Sequence, residues 1–320
     1  MKFIDLFAGI GGFRIALENN NSKCVYSSEW DKYAIKTYEY NFNDIPFGDI
    51  TKINENEIPE HDILCGGFPC QAFSVSGKQG GFKDTRGTLF FDIARIVKKK
   101  KPSVLFLENV KNLYKHDNGN TFSLISKVLD EIGYKIFSDI IDSSNYGLPQ
   151  HRERVYIVCF KKELNVNKFE FPKPTYKRIS LGDIVEKNLD FEKYRVFRND
   201  ISFKKNNFLK TKDLFETKFL KPIRIGTINK GGQGERIYSD KGHAITLSAY
   251  GGGVAGKTGA YLINGIIRQL TPRECLRVQG FPENFDFPND ISIPQIYKMC
   301  GNSVSVPVIE MIYQKVLSYL

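Results

Sequence analysis

The chain has 320 residues, of which 41% are hydrophobic and 26% charged, so it is long enough for one large α/β domain and a smaller second one. No segment has the length and hydrophobicity of a membrane span, and the first residues lack the apolar core of a signal peptide, which predicts a cytoplasmic protein without a membrane partner. A net charge of +10 at pH 7 favours a polyanionic partner, nucleic acid above all, although a solvated lysine-rich surface would give the same charge.

The six cysteines are scattered along the chain, mostly in apolar runs. This pattern is typical of reduced thiols rather than of a disulfide framework. The sequence contains no CxxC pair, and its four histidines are isolated from one another. We therefore expect no metal site.

Short apolar strands alternate with amphipathic helices through the first half of the chain. Apolar runs predict strands near residues 3–7, 25–27, 63–65, 104–107, 136–141 and 155–160. Helical spacing of apolar residues predicts helices that begin after residue 12 and near residues 31–41, 89–97 and 122–132. This alternation predicts an α/β fold with a doubly wound sheet.

The regular alternation stops near residue 174. Between Lys193 and Arg224 there are ten Lys or Arg against three Asp or Glu, and eleven of the 27 glycines lie between Gly226 and Gly265. Short β-prone pieces such as residues 244–247 interrupt the glycines, and this part is too apolar for a disordered linker. We expect a second, smaller, β-rich domain here, with helices returning after Arg268.

The glycine-rich segment 7–12 lies between a predicted strand and a predicted helix, where the backbone can approach a ligand closely. It is not GxGxxG, which argues against a pyrophosphate-bearing dinucleotide. Glu29 and Trp30 follow the second strand, where an acid can bind ribose hydroxyls and an indole can cover an adenine face. Core filling is the alternative for Trp30. Together the loop and the acid favour an adenosine-containing cofactor.

Three further segments place reactive groups near strand ends. A glycine turn after the third strand delivers Cys70, whose thiol is a candidate nucleophile, with simple burial as the alternative. Glu108 ends the fourth strand, so its carboxylate is expected at the same sheet edge. Arg152 and Arg154 precede the last strand, and alternation would aim both to one side. For these arginines, surface salt bridging is the alternative.

In this order, these segments resemble motifs of the DNA (cytosine-5)-methyltransferase family. The resemblance covers nearly the whole chain and extends into the sequence-reading region, at residues 230–239 and 244–253; the motifs are residues 5–12, 67–71, 108–110, 150–154, 268–275, 280–282 and 301–304. It is strongest to a member that modifies GCGC. The basic stretch 193–224 matches that member much less clearly.

The resemblance implies that the Cys70 thiolate attacks carbon 6 of a cytosine and that carbon 5 takes the methyl group of S-adenosylmethionine. Glu108 would protonate or hydrogen-bond N3, and Arg154, supported by Arg152, would stabilise charge developing toward O2. The stacked base must leave the duplex. Gln233 would fill the gap, and Ser76 would enter from the other groove.

Further residues carry over from the family by position. Arg236 and Tyr250 are candidates for reading or positioning neighbouring bases, with loop packing as the alternative for Tyr250. Residues 74–88 form a candidate loop that closes over DNA. Cofactor contacts are expected at seven positions: Phe7, Gly9, Gly11, Glu29, Trp30, Asp49 and Asn302.

The family resemblance also predicts the architecture and the setting. We expect a Rossmann-like, S-adenosylmethionine-dependent catalytic domain at residues 1–181 and 301–320. A target-recognition domain is expected at 182–271, with a hinge at 272–300. The protein would act as a monomer on double-stranded DNA in a bacterial type II restriction–modification system, beside a cognate endonuclease.

Three other functions would explain part of the sequence pattern. A tRNA cytosine-5 methyltransferase would share Cys70, Glu108 and the cofactor loop, but the glycine-rich insert matches a DNA reader. A non-enzymatic DNA-binding module would require a replaced catalytic position, and none is replaced. An NAD-dependent oxidoreductase fits the first fifty residues and leaves Cys70 and Glu108 without a task.

Overall fold

A computed structural model describes residues 1–69, 89–175, 177–187, 190–204 and 220–320. The chain divides into two compact units. The first contains residues Met1–Ile141, Glu153–Pro172 and Ile309–Leu320, and the second contains Asp142–Arg152 and Lys173–Val308. In the described part of the chain, no helix has the length and hydrophobicity needed to cross a membrane.

The first unit is built on a six-stranded sheet with the order β2-β1-β3-β4-β6-β5. Its strands are β1 (Lys2–Leu6), β2 (Lys23–Ser28), β3 (Ile63–Gly67), β4 (Val104–Val110), β5 (Tyr134–Asp142) and β6 (Glu153–Lys161). Strands β1 to β4 run parallel, and β6 pairs with β4 in the antiparallel sense. The predicted strands are therefore present. Strand β1 begins one residue earlier than predicted and ends at Leu6 instead of Phe7, and the other five strands are one to three residues longer at one or both ends.

Helices connect the parallel strands. They are α1 (Gly12–Glu18), α2 (Lys32–Phe42), α3 (Leu89–Lys100) and α4 (Asn120–Glu131). Asp31 caps the N-terminus of α2, because its carboxylate accepts hydrogen bonds from the N–H groups of Tyr33 and Ala34. Helix α3 ends in three lysines that complement the negative end of its dipole.

Two layers of side chains cover the sheet of the first unit. On one side, buried residues of β1, β3, β4 and β6 pack with the apolar faces of α3 and α4. Phe13 of α1 meets Phe106 of β4 edge to face, with ring centroids 5.2 Å apart. Residue 66 must be a glycine for β3 to pair with β1 as it does, because a Cβ there would be 2.3 Å from the Leu6 carbonyl oxygen.

The second unit contains a five-stranded mixed sheet with the order β11-β10-β9-β8-β7. Its strands are β7 (Ile201–Phe203), β8 (Ile223–Ile228), β9 (Arg236–Ser239), β10 (Ala260–Ile263) and β11 (Ile266–Arg268). A small apolar cluster that includes Ile225, Ile228 and Ile237 forms its core. The later helices are α5 (Pro272–Arg277), α6 (Ile293–Asn302) and α7 (Val306–Leu317).

The β-prone segment 244–247 does not form a strand. Only Ala244 makes a bridge, to Gln150, and its N–H and carbonyl bond to the backbone of Pro149 and His151. Thr246 donates its hydroxyl to the His151 carbonyl, 2.7 Å away. The β propensity of this segment is overridden because its hydrogen bonds go to residues 149–151.

Candidate active site

The carboxyl ends of β3 and β4 meet at the edge where the candidate nucleophile was expected. Gly67 lies opposite Glu108 in the parallel register. The Asn109 side-chain amide donates to the Phe68 carbonyl at 2.9 Å, and its oxygen accepts from the Val110 N–H at 2.8 Å. Asn109 therefore fixes the backbone two residues before Cys70. Cys70, Ser76 and the whole candidate loop 74–88 lie outside the described residues.

Glu108 and Arg154 form a buried ion pair in the first unit. Arg154 Nε lies 3.0 Å from Glu108 Oε1, and only 13% and 10% of the two side chains are exposed. The antiparallel register places Tyr156 opposite Glu108 and Arg154 opposite Val110, so the two charged residues are diagonal neighbours on one face. At such a place the carboxyl group can donate or accept a proton, and the adjacent cation can stabilise an oxyanion.

Arg152 belongs to the second unit and has different contacts. Strand β6 begins at Glu153, so Arg152 lies just outside the strand whose alternation was expected to align it with Arg154. The buried Arg152 guanidinium donates to the carbonyls of Leu247, Gly301 and Ser303. These bonds fix the backbone on both sides of Asn302.

The glycine-rich turn after β1 has a left-handed backbone at three positions. Phe7, Gly9 and Gly11 have φ of 57°, 55° and 86°. Such angles cost a non-glycine residue free energy, so the strain at Phe7 marks a constrained loop. Gly11 leads into α1, and a Cβ there would lie 2.3 Å from the Phe42 ring.

Glu29 ties this turn to the end of β2. Its Oε2 accepts from the Gly9 N–H at 2.8 Å, and its Oε1 accepts from the N–H groups of Trp30 and Asp31, each at 2.8 Å. Burial raises the pKa of Glu29, and the three N–H donors partly offset that rise. A carboxylate has about four acceptor sites, so three backbone bonds leave room for one more donor.

Two further predicted cofactor residues of the first unit, Trp30 and Asp49, have side chains that are accessible to solvent. Trp30 is 77% exposed, so the alternative that it fills the core is wrong. Asp49 accepts from the N–H and hydroxyl of Thr51, at 3.0 and 2.8 Å, and these bonds lower its pKa. Both side chains are available to a ligand.

The remaining predicted site residues lie in the second unit. Asn302 is the exposed last residue of α6. Gln233 is exposed at the start of a single 3₁₀ turn, and Arg236 follows as the first residue of β9. Tyr250 is 80% exposed, so the alternative that it packs its own loop is wrong. The turn around Gln233 is held by a backbone hydrogen bond, in which the Ala255 N–H donates to the Gly234 carbonyl at 3.0 Å.

Sequence reasoning did not assign Asn109 a task, although it follows Glu108 directly. The available signal was the position of Asn109 at the end of the strongest predicted strand, where a buried amide would need hydrogen-bond partners. Across the described residues, no cluster of three or more His, Cys, Asp or Glu could hold a metal ion.

Comparisons with known proteins identify the family of the chain. Residues 1–318 match the model of the C-5 cytosine-specific DNA methylase family. Type II methyltransferase M.HhaI of Haemophilus parahaemolyticus is 51% identical over 320 residues, covering 100% of this chain and 95% of the relative. M.HpaII of Haemophilus parainfluenzae is 44% identical over 338 residues, covering 99% and 89%.

Solved structures share the fold. The S. pombe Dnmt2 methyltransferase superposes with a TM-score of 0.74 at 18% identity, covering 99% of this chain and 98% of that one. A putative DNA modification methyltransferase encoded in an E. coli prophage gives 0.71 at 19% identity, covering 100% and 99%. The predicted α/β fold class is confirmed. The chain belongs to the C-5 cytosine-specific DNA methylase family, and the predicted enzyme class, DNA (cytosine-5)-methyltransferase, is confirmed with it.

Proposed function

We propose that the enzyme flips a cytosine out of duplex DNA and methylates its carbon 5 through a covalent adduct with Cys70. The buried Glu108–Arg154 pair, beside the segment that leads to Cys70, is the observation that carries this proposal. In the first step a bond forms between Cys70 Sγ and carbon 6, and electron density moves to carbon 5. After methyl transfer the carbon-5 proton leaves, the Sγ–carbon bond breaks and the ring double bond is restored.

Glu108 and Arg154 make the base electrophilic. Cytosine carbon 6 is a poor electrophile unless N3 is protonated or hydrogen-bonded, which we assign to the Glu108 carboxyl group. Arg154 then stabilises the negative charge that develops toward O2. Arg152 acts as a positioning residue, since its guanidinium holds the carbonyls of Gly301 and Ser303.

The methyl donor is S-adenosylmethionine, which leaves as S-adenosylhomocysteine. The residues that would hold it are Phe7, Gly9, Gly11, Glu29, Trp30, Asp49 and Asn302. The remaining acceptor site of Glu29 suits a ribose hydroxyl, and the exposed Trp30 ring suits an adenine face. Asp49 can accept from the adenine amino group. The constrained turn at Phe7 and Gly9 lets the backbone approach the ligand closely.

DNA reading is assigned to the exposed loops of the second unit. Extruding a base costs a few kcal/mol. Gln233 fills the gap and pairs with the orphaned guanine, Ser76 enters from the opposite groove, and Arg236 and Tyr250 contact neighbouring bases. We propose GCGC as the recognition sequence. The 51% identity to M.HhaI supports it. The resemblance of residues 230–239 and 244–253 to the sequence-reading region of a member that modifies GCGC supports it as well.

The proposed setting is a restriction–modification system in the bacterial cytoplasm. The relatives named above are bacterial Type II methyltransferases. A monomer on double-stranded DNA, with a cognate endonuclease encoded beside it, completes this proposal. The catalytic, target-recognition and hinge boundaries given from sequence remain predictions within it.

The decisive experiment methylates a plasmid with the purified enzyme and challenges it with endonucleases that cut at GCGC. Full protection is expected at GCGC, while sites of unrelated sequence stay cleavable. Cleavage as complete as in untreated plasmid would contradict the specificity. Tritiated methyl transfer to duplex DNA and to tRNA, assayed in parallel, separates the DNA enzyme from a tRNA enzyme.

A further inference from the structure

Two residues of the second unit that we assign to DNA, Gln233 and Tyr250, lie on segments that contact each other. Gln233 belongs to residues 232–235, which we call the Gln233 turn, and Tyr250 begins residues 250–256, which we call the Tyr250 loop. Both side chains are exposed, whereas Gly234 is buried against the Tyr250 loop. The contact between the two segments therefore involves the residue that directly follows Gln233.

Backbone atoms of the turn and the loop approach each other closely at Gly234. The Ala255 N–H donates to the Gly234 carbonyl at 3.0 Å. A Cβ at Gly234 would lie 1.9 Å from the Gly252 carbonyl oxygen and 2.9 Å from Gly256 Cα. Both neighbours are main-chain atoms, which cannot rotate away as the end of a long side chain can. Residue 234 must therefore be a glycine for the two segments to pack in this way.

Each segment is also closed by its own hydrogen bonds. In the Gln233 turn, the Glu235 carboxylate accepts from the Gly232 N–H at 3.0 Å. At the base of the Tyr250 loop, the Ser248 N–H donates to the Lys257 carbonyl at 2.8 Å. Because both segments are braced internally, a shift of one is transmitted to the other.

A second close contact lies inside the Tyr250 loop. A Cβ at Gly256 would lie 2.0 Å from the Gly252 carbonyl oxygen, the same atom that a Cβ at Gly234 would meet. A side chain at residue 256 would therefore push on the carbonyl group against which the Gln233 turn packs. The position of Gln233 thus depends on a residue 23 positions further along the chain.

We propose that Gly234 is a positioning residue for Gln233 and that the Gln233 turn and the Tyr250 loop read DNA as one rigid part. This inference rests on the proposed function, in which Gln233 fills the gap left by the flipped cytosine and Tyr250 contacts a neighbouring base. A change on either side of the contact then alters base extrusion and the discrimination of neighbouring bases together.

The test compares the full-length wild type with Gly234→Ala, Gly256→Ala and the control Gly182→Ala, each with S-adenosylhomocysteine bound. Gly182 lies in the same unit, and a Cβ there would lie 3.4 Å from the nearest atom, an ordinary van der Waals distance. The fluorescence of 2-aminopurine, placed at the target cytosine of a GCGC duplex, reports base extrusion. Single-turnover methyl transfer, with S-adenosylmethionine, to GCGC and to a duplex with one neighbouring base pair changed measures discrimination.

The two variants at the contact should lose both properties. A misplacement of about 1 Å can cost about 10²-fold in rate, so Gly234→Ala should slow methyl transfer to GCGC by about that factor. Its preference for GCGC over the changed duplex should fall by about tenfold, as when one base contact is lost. Gly256→Ala should show the same combined loss, and Gly182→Ala should behave as the wild type.

A double-mutant cycle separates positioning from a loss of folding. If Gly256→Ala acts by displacing Gln233, it should lower the 2-aminopurine signal in the wild type but change it little in Gln233→Ala. Additive losses would overturn the proposal. So would a Gly234→Ala enzyme that equals Gly182→Ala, or one that is slowed equally on both duplexes. A wild type that gives no 2-aminopurine signal with the GCGC duplex would instead contradict the proposed function.

Discussion

In the proposed mechanism Glu108 and Arg154 supply most of the chemistry among the described residues, and each residue lies in a strand of the first sheet. Glu108 is 7% exposed, in a strand whose buried side chains are apolar apart from Glu108 and Asn109. A charge in such a place is stabilised by a partner or by a ligand. The pair therefore fits a site in which a polar base enters and shares the hydrogen bonds of both groups.

We expect Glu108→Gln to lower methyl transfer by about 10²- to 10⁴-fold, the usual contribution of a general acid. Single-turnover transfer of tritiated methyl groups to a GCGC duplex measures the effect. Glu153→Gln is the matched control, because Glu153 pairs with Lys111 at a partly exposed position worth at most about 1 kcal/mol. A Glu108→Gln enzyme as fast as the control would remove Glu108 from the mechanism.

Cys70→Ser should abolish turnover while leaving duplex affinity within about twofold, because the thiolate acts after binding. The control is Cys24→Ser. Burial raises the pKa of Cys24 to about 12, and its thiol donates to the Tyr26 carbonyl, which a serine hydroxyl can also do. Persistent methylation by Cys70→Ser, or its loss in Cys24→Ser, would place the nucleophile elsewhere.

At the scale of elements, the site depends on how strand ends are held in register. Asn109 connects the end of β4 to Phe68 just beyond β3, where the polypeptide turns toward Cys70. Its amide is 2% exposed. Replacing it would leave the buried Phe68 carbonyl without that donor, at a cost of about 1–3 kcal/mol. The Val110 N–H, which is only partly buried, would also lose its acceptor.

Asn109→Ala should therefore lower the turnover number at least tenfold with little change in duplex affinity. Asn112→Ala, at an exposed position in the following 3₁₀ turn, is the control. Comparing the rate of single-turnover transfer with the dissociation constant separates positioning from binding. An equal loss of both quantities would show that Asn109 supports the fold rather than the approach of the thiol.

The elements of the first unit could be predicted because their strands are short apolar runs bounded by glycine, proline or charge. The β-prone segment 244–247 could not, since its hydrogen-bond partners are distant residues that no local pattern reveals. The same holds for Arg152, whose place just before β6 removed it from the expected alternation. The contact between His151 Nδ1 and Asp142 Oδ2, 2.5 Å apart, likewise joins two segments that no local pattern brings together.

At the scale of the whole molecule, a buried ion pair anchors the second unit. Both terminal nitrogens of Arg268 donate to the Glu274 carboxylate at 2.7 Å, and the two side chains are 1% and 0% exposed. The Phe191 ring lies against the guanidinium, 4.3 Å from its centroid. Glu274 also accepts from the Thr271 N–H and closes the N-terminus of α5.

Glu274→Gln should destabilise the second unit by about 3–5 kcal/mol, because it leaves the Arg268 charge buried without its partner. Glu283→Gln, which alters the exposed pair with Arg277, should cost at most about 1 kcal/mol. Urea unfolding followed by tyrosine fluorescence and by circular dichroism compares the two variants. Midpoints that coincide for both would contradict the importance of the buried pair.

The sequence could not reveal which segments of the chain belong to each of the two units. Residues Asp142–Arg152 join the second unit although they lie between two strands of the first sheet. Such a division depends on packing between segments far apart in the chain. The motif order nevertheless identified the family, because each motif provides a strand end, a turn or a charged group that the chemistry needs.

The antiparallel pairing of β6 with β4 has one more consequence. Seven residue pairs join β4 to β6 in a continuous ladder that runs from Val104–Phe160 to Val110–Arg154. This ladder fixes the position of Glu108 in β4 relative to Arg154 in β6. Length changes in the connection between β5 and β6 would leave that ladder in register, whereas one residue inserted within β6 would turn Arg154 to the opposite face. The pairing of β4 with β6 thus sets the distance between two motifs that are far apart in the sequence. Residues of the connection between β5 and β6, such as Arg152, are constrained by their own contacts instead.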